Sequence, residues 1–166
     1  MGDVDHDGFA DFAVIQPYYS GRGVSEGRIW LYLGGPRGPG LEPVWTGQGF
    51  SSNTVLSSKA PGIGDVNGDG VPDLMVGSAD YSAAADRRQL GVVAVYLSPR
   101  DPRKPHPAWY RPGGDPGTPI SHWEAPAGDF NGDGLADLVV AQSGWASGDS
   151  RGRALLFLGR RVKLKP

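Results

Sequence analysis

An acidic, glycine-centred loop occurs three times in this chain, and each copy leads directly into a short apolar segment. The copies occupy residues 2–11, 64–73 and 128–137, and their first aspartates are 62 and then 64 residues apart. A motif that recurs at a nearly fixed period is the sequence mark of a repeat architecture, in which each small unit packs on its neighbours. The spacing therefore predicts three units of one common structure.

Each loop is rich in oxygen donors. Counting the first aspartate (Asp3, Asp65 or Asp129) as position 1, oxygen-bearing side chains stand at positions 1, 3, 5 and 9, and glycine stands at position 6. Ca²⁺ takes six to eight hard oxygen ligands, and the position-7 carbonyl would add one more. The pattern favours a calcium loop over the alternative, an aspartate-rich turn that binds no ion.

Apolar runs of β-forming residues recur with the same period as the loops. The first run follows each loop at residues 12–15, 74–77 and 138–141, and the second occupies residues 27–33, 91–97 and 152–158. We expect the second run to be buried on both faces. A third begins near Pro43 and Pro107, and a weaker one precedes the next loop at residues 50–56 and 119–123.

One unit is thus about four short antiparallel strands in roughly 60 residues, which is the form of a β-propeller blade. We predict an all-β chain that forms a single propeller segment over residues 1–166, with units at about 1–49, 50–114 and 115–166. Three blades cannot close a ring. Either further sequence or self-association into a homo-oligomer is then expected to complete the propeller.

Composition limits the classes of function. Ten of the eighteen acidic residues lie in the three loops, and the sixteen Lys and Arg residues are scattered apart from a basic tail at residues 160–165. A nucleic-acid surface would require clustered basic residues, so we expect no nucleic-acid partner. The chain has no cysteine for a disulfide framework or a thiolate metal site. It also has no apolar run near eighteen residues, so we expect no membrane insertion.

The second unit carries the clearest family resemblance. Its Asp-Val-Asn-Gly-Asp-Gly segment from Asp65, continued to Gly77, precedes a Gly-x-Val-x-Val-Tyr strand that begins at Gly91. This combination resembles the FG-GAP repeat of integrin α-subunit β-propellers and their bacterial relatives. The Phe-Gly and Gly-Ala-Pro signatures that name the family are eroded here.

The resemblance implies one Ca²⁺ ion in each loop, about three in all, and a ligand set for each. Position 7 contributes its main-chain carbonyl, and the other positions contribute side chains. The implied ligands are Asp3, Asp5, Asp7, Phe9 and Asp11 in the first loop, Asp65, Asn67, Asp69, Val71 and Asp73 in the second, and Asp129, Asn131, Asp133, Leu135 and Asp137 in the third.

Two other chemistries can be set aside. An EF-hand needs a bidentate glutamate at position 12 and flanking helices, whereas position 12 is Val14, Val76 or Val140 inside a predicted strand. The G-x-S-x-G match around Ser25 lacks the strand before and the helix after that a nucleophile elbow needs. We therefore predict that the chain is not an enzyme and has no catalytic residue.

The function expected from these features is binding or adhesion outside the cell or in the periplasm, with Ca²⁺ stabilising each blade. The partner would be an unknown protein or glycan held by the loops that follow the first strand of each unit, because functional residues gather on such loops. Two alternatives remain: an accessory propeller of a secreted hydrolase, and a purely structural part-propeller that self-assembles.

Overall fold

The structure, a computed structural model, describes ten strands. It covers residues 1–21, 26–49, 55–56, 62–78, 81, 90–97, 99, 106–113, 120–142 and 152–161, with only the backbone at 121–122. No helix occurs in those ranges, and so none that could cross a membrane. The strands are β1 (Phe12–Gln16), β2 (Arg28–Tyr32), β3 (Trp45–Gln48), β4 (Gly62–Gly64), β5 (Asp73–Ser78), β6 (Val92–Tyr96), β7 (Trp109–Pro112), β8 (Ile120–Gly128), β9 (Asp137–Gln142) and β10 (Arg153–Phe157).

The strands form three antiparallel sheets in chain order, and each sheet is one blade of a partial propeller. The first blade has the order β1-β2-β3, the second β4-β5-β6-β7, and the third β8-β9-β10. The predicted all-β fold is confirmed, and the second blade has the predicted four strands. The first and third blades show three strands each within the described residues. The exact unit boundaries stay a prediction.

The same strand register recurs in all three blades. The glycine before each loop pairs with the aspartate at position 9, as Gly2 with Asp11, Gly64 with Asp73 and Gly128 with Asp137. The two ends of the loop therefore lie next to each other. In the second and third blades the loop connects the leading strand (β4 or β8) to the strand after the loop (β5 or β9). This placement of the acidic loop between two antiparallel strands matches the order predicted from the sequence.

The leading strand of the second blade differs from the prediction. It is β4 (Gly62–Gly64), directly before the loop, and not the segment 50–56. Val55 and Leu56 lie outside any strand, and residues 50–54 lie outside the described part of the chain. Leu56 is nevertheless 1% exposed, like Ile120, which lies 64 residues further on. At Leu56 the apolar signal came from a side chain that packs between blades one and two.

Two hydrophobic clusters hold the blades together. The first joins blades one and two through residues such as Ile29, Leu31, Leu74, Val76 and Tyr96. The second joins blades two and three through residues such as Met75, Val93, Val95, Leu138 and Val140. Alternate residues of β5 and β6 thus face opposite neighbours, as the two-residue period of a strand requires. The middle blade is the centre of both clusters.

The second apolar run of each unit forms β2, β6 or β10. Only β6, in the middle blade, is buried on both faces. All five residues of β6 are buried, whereas β2 alternates and β10 is largely exposed. The apolar sequences of the three strands are alike. Their different burial follows from position, because only the middle blade has a described blade on each side.

The packing of blades one and two includes a polar contact. The Tyr96 hydroxyl donates to the main-chain carbonyl of Gln48 over 2.5 Å, and the Tyr96 ring packs edge-on against Trp45 with 5.7 Å between centroids. Burial raises the pKa of Tyr96 well above its usual range, so the hydroxyl remains a donor at all ordinary pH values. One side chain therefore links two blades by both its ring and its hydroxyl.

We expect Tyr96→Phe to lower the free energy of unfolding by about 1 kcal/mol, because it removes the hydrogen bond and leaves the half-buried carbonyl of Gln48 without that donor. Urea denaturation measures the change. Tyr110→Phe is the matched control, because Tyr110 is 56% exposed, and its change should stay within about 0.5 kcal/mol. Equal effects of the two substitutions would contradict the role given to the Tyr96 hydroxyl.

Candidate metal centre

The aspartate at position 9 fastens each loop to its blade. In the third loop Asp137 Oδ2 accepts from the Phe130 N–H at 2.8 Å, and Oδ1 accepts from the Gly159 N–H at 2.7 Å. Asp11 accepts in the same way from Val4 at 2.6 Å and from Gly34 at 2.8 Å. Gly34 and Gly159 each lie just beyond the second strand. The carboxylate therefore joins the start of the loop to the end of β2 or β10.

The second loop repeats the first half of this arrangement, since Asp73 Oδ2 accepts from the Val66 N–H at 3.0 Å. All three position-9 aspartates are buried: Asp11 is 2% exposed, and Asp73 and Asp137 are fully enclosed. Buried carboxylates remain charged at low cost only when hydrogen bonds or cations satisfy them. Here main-chain N–H groups donate the hydrogen bonds that these carboxylates need.

The aspartate at position 1 organises the turn. Asp65 Oδ1 accepts from the Gly68 and Asp69 N–H groups at 2.6 and 3.2 Å, and Oδ2 accepts from the Gly70 N–H at 2.7 Å. Asp129 makes the equivalent three bonds at 2.7, 3.0 and 2.9 Å. The loop backbone thus wraps around one carboxylate, which draws the side chains at neighbouring positions together.

The wrapping requires left-handed backbone at two positions. Position 6 is glycine in every loop, with φ of 91°, 84° and 83° at Gly8, Gly70 and Gly134. Position 4 is glycine in two loops, but in the first it is His6, with φ of 62°. A side chain in this region costs about 1–2 kcal/mol relative to right-handed backbone. The first loop therefore holds its conformation at a local cost that the other two avoid.

The first loop brings three carboxylates together. Oxygen atoms of Asp3, Asp5 and Asp11 all lie within 4.8 Å of one another, and this is the one such acidic group in the part of the chain that the structure describes. Ligands bound to a single Ca²⁺ at about 2.4 Å cannot be more than about 4.8 Å apart. The donor set and its spacing therefore fit Ca²⁺.

Electrostatics in this loop also favour a cation. Partial desolvation, together with repulsion from Asp7, Asp11 and Asp3, raises the pKa of Asp5. The hydrogen bond from the Gly8 N–H lowers the pKa of Asp3. A bound Ca²⁺ would relieve the repulsion at Asp5, because an adjacent positive charge favours the ionised carboxylate.

The second and third loops have asparagine at position 3. Asn67 Nδ2 donates to Asp69 Oδ2 at 3.1 Å, and Asn131 Nδ2 donates to Asp133 Oδ2 at 2.9 Å. The amide thus donates a hydrogen bond to the position-5 carboxylate, which an aspartate at position 3 would repel. These loops carry one negative charge fewer than the first, so their attraction for a divalent cation is weaker.

The remaining predicted ligands lie in the same loops. Asp7 is exposed and outside the three-carboxylate group, and its Oδ1 accepts from the Phe9 N–H at 2.9 Å. Asp69 and Asp133 accept in the same way from Val71 and Leu135, both at 2.9 Å. The position-7 carbonyls of Phe9, Val71 and Leu135 stay predicted ligands, as does the complete ligand set of each loop.

The sequence analysis did not predict the second donor to the position-9 aspartate, which lies beyond the end of β2 or β10. Gly34 and Gly159 donate to it, and both approach the loop too closely for a side chain: a Cβ at Gly159 would lie 2.5 Å from the Ala136 carbonyl oxygen. A glycine that directly follows an apolar strand in two of the three units was the available signal. It marks a close backbone approach.

The loops at the opposite end of the first strand also share an anchor. The Tyr19 carbonyl accepts from the Glu26 and Gly27 N–H groups at 2.9 and 3.2 Å, and the Tyr81 carbonyl accepts from Leu90 and Gly91 at 2.9 and 3.1 Å. The Tyr19 ring lies edge-on to Trp30 and under the guanidinium of Arg28, 3.9 Å from the ring centroid. It therefore packs on its own blade. Tyr18 beside it is 69% exposed.

The sequence matches two known repeat families. Residues 2–76 match an FG-GAP-like repeat, and residues 123–157 match the FG-GAP repeat. The first range contains the first two acidic loops, and the second contains the third loop with β9 and β10. The chain is an FG-GAP repeat protein. The resemblance inferred from Asp65 to Tyr96 is confirmed.

Integrin α chains are among its curated relatives. The FG-GAP chain is 37% identical to integrin alpha-IIb of Homo sapiens over 108 residues, which is 62% of this chain and 10% of the integrin. It is 35% identical to the Mus musculus protein over 63% of its length, and 27% identical to integrin alpha-E of Mus musculus over 83%. It spans about a tenth of the length of these relatives.

The position-9 attachment can be tested apart from metal binding. In EDTA we expect Asp137→Asn to lower the free energy of unfolding by about 2–3 kcal/mol, because the amide nitrogen would face a main-chain N–H and leave it unpaired. Urea denaturation provides the measurement. Asp133→Asn is the control: Asp133 is exposed and can keep its bond to Leu135, so a change below about 1 kcal/mol is expected. A small effect of Asp137→Asn would refute the attachment.

Proposed function

We propose that this FG-GAP segment is a calcium-stabilised, non-enzymatic binding module that acts in adhesion outside the cell. The observation that carries the proposal is the group of Asp3, Asp5 and Asp11 oxygens within 4.8 Å of one another, in the loop that each blade repeats. FG-GAP repeats of integrin α chains generally bind calcium, which supports the same assignment. Asp7 and the Phe9 carbonyl would complete the first site.

The proposed role of Ca²⁺ is structural, because the acidic loops lie away from the candidate recognition loops. Each acidic loop precedes the strand β1, β5 or β9, and the connection that contains Tyr18 or Tyr81 follows that strand. The two features therefore lie at opposite ends of one strand. An ion in the acidic loop would fix the start of that strand without touching a ligand at its far end.

The proposed recognition surface consists of those connections. Tyr18 is largely exposed, and Tyr81 lines a cavity of about 230 Å³ with Gly49, His106, Pro107 and Tyr110. Partial burial and the neighbouring Tyr110 raise the pKa of Tyr81. Tyrosines of this kind combine a large contact area with a polar group, as binding surfaces commonly require. The ligand would be a protein or a glycan.

The extracellular setting rests on two supports. Integrin α chains are extracellular proteins, and Ca²⁺ outside cells is abundant enough to fill weak sites with dissociation constants of about 10⁻⁴–10⁻³ M. An accessory role in a secreted hydrolase is the alternative. Ser25, which stands in the G-x-S-x-G match, lies outside the described residues.

Calcium binding is tested by thermal unfolding. We expect Ca²⁺ to raise the melting temperature and EDTA to lower it, since an ion at 100 times its dissociation constant adds about 2.7 kcal/mol per site. Mg²⁺ should stabilise less, because it demands a smaller and stricter octahedral shell. A melting temperature that is unchanged by Ca²⁺ and by EDTA would contradict the proposed calcium binding.

The first loop should bind most tightly, because it has the most carboxylates. Isothermal titration calorimetry should resolve this site, and Asp5→Asn should weaken it by about tenfold, towards the affinity of the other two. Glu42→Gln is the matched control, since it removes one exposed carboxylate outside the loops. If both variants weaken binding equally, general charge rather than the loop attracts the ion.

The binding role is tested on immobilised extracellular-matrix proteins and on a glycan array. We expect Ca²⁺-dependent binding to at least one probe, and loss of that binding in Tyr18→Ala. Leu41→Ala is the control, because Leu41 is 94% exposed in a different connection. Failure to bind any probe, or equal binding by both variants, would contradict recognition through Tyr18 while leaving the calcium result unaffected.

A further inference from the structure

The outer face of the first blade exposes two apolar side chains whose counterparts in the other blades are buried. We call this the leading face and define it by Phe12, Val14 and Tyr32. Phe12 is 40% and Val14 44% exposed. Their counterparts in the second blade, Leu74 and Val76, are fully buried against the first blade. Phe12 stacks on Tyr32 with 5.3 Å between centroids, so the leading face contains a pair of aromatic rings.

The outer face of the third blade shows the complementary exposure. We call this the trailing face and define it by Phe130 and Leu156. Phe130 is 71% exposed, whereas Val4, which also stands at position 2 of its loop, is fully buried by the second blade. Leu156 is 41% exposed, whereas Leu31 at the same place in the first blade is fully buried.

The contact between the second and third blades shows how such faces meet. The Ala136 N–H donates to the Asp65 carbonyl at 2.9 Å, and the Arg160 N–H donates to the Val66 carbonyl at 2.7 Å. Ala136 also lies so close to Gly64 that a Cβ on this glycine would be 2.8 Å from the Ala136 Cβ. Main-chain hydrogen bonds and a glycine contact thus set the register between two blades.

The leading and trailing faces have main-chain groups at the places that form these hydrogen bonds between the second and third blades. The repeat places Ala10 and Gly35 where Ala136 and Arg160 stand, and places Asp129 and Phe130 where Asp65 and Val66 stand. Ala10, Asp129 and Phe130 are exposed. Gly128 corresponds to Gly64, and a Cβ there would meet nothing within 4 Å.

The contact between the first two blades lacks this pair of bonds. Pro72 and Pro99 occupy the donor places and have no N–H to donate. Pro72 instead packs against Gly2, where a Cβ would lie 3.2 Å from the Pro72 Cγ. The donors at Ala10 and Gly35 therefore suit a partner that presents main-chain carbonyls in the manner of Asp65 and Val66.

We propose that two copies of this chain associate head to tail, with the trailing face of one on the leading face of the other. The Phe130 side chain then packs beside Phe12 and Tyr32, as Val4 packs against the second blade. The Ala10 and Gly35 N–H groups donate to the Asp129 and Phe130 carbonyls of the second copy. The arrangement continues an interface that the chain already forms between its second and third blades. A head-to-tail contact of this kind closes into a ring if the rotation allows it.

The association is tested by light scattering during size-exclusion chromatography, with Ca²⁺ and with EDTA, from about 1 to 200 µM protein. We expect a mass of about twice the 17.5 kDa of one chain at the high end of this range. Phe130→Ser should weaken the association by about tenfold or more, and Leu41→Ser, at a fully exposed connection, should leave it unchanged. A single 17.5 kDa species at every concentration would overturn the proposal.

Cysteine cross-linking tests the direction of the contact, since the chain has no cysteine of its own. Ala10→Cys and Gly128→Cys are prepared separately and oxidised alone and as a mixture. We expect a disulfide dimer in the mixture only. Gly64→Cys/Ala136→Cys, the same pair inside one chain, should form an intramolecular bond and serves as the control. A dimer from either single variant, or none in the mixture while the control closes, would overturn the head-to-tail arrangement.

Discussion

The buried carboxylate at position 9 is the contact on which the rest of each blade depends. Asp137 accepts one N–H from the start of its loop and another from beyond the second strand, so three separate parts of the blade meet at one side chain. Neither donor belongs to the sheet ladder. Without this carboxylate the Phe130 and Gly159 N–H groups would each lose a hydrogen bond to a charged acceptor, which is worth about 1.5–3 kcal/mol. The attachment is therefore a condition for the close approach of loop and strand.

This attachment also explains how one sequence motif can serve two purposes. Because Asp11 is held by Val4 and Gly34, its carboxylate is fixed beside Asp3 and Asp5. Asp3 in turn is held by the N–H groups of the loop it organises. The main chain thus gathers negative charge at a point where desolvation and repulsion from neighbouring carboxylates raise the pKa of Asp5. A divalent cation offsets that repulsion. The loop therefore both connects parts of the blade and forms a candidate ion site.

The repeating features of the fold could be predicted from the sequence, because each rests on local chemistry. Glycine at position 6 is needed for left-handed backbone, and valine at position 12 lies within a strand, where an EF-hand would need a glutamate ligand. The leading strand of the second blade was placed wrongly because Leu56 is apolar for a different reason, namely packing between blades. Gly34 and Gly159 were missed as partners of position 9 because their donors meet it only after the blade folds. Sequence spacing alone does not show which backbone groups converge.

Burial at a repeat position is a property of the array rather than of the residue. Phe12, Leu74 and Leu138 stand at one position in three blades and are all apolar, yet Phe12 is 40% exposed and the others are 0% and 4% exposed. The local sequence specifies a face that suits a neighbouring blade, and the neighbour decides whether water is excluded. In a linear array each added blade covers one face and presents another, so exposed apolar area stays roughly constant while buried area grows. Stability therefore rises with every blade, and the exposed area falls only when the two end faces meet.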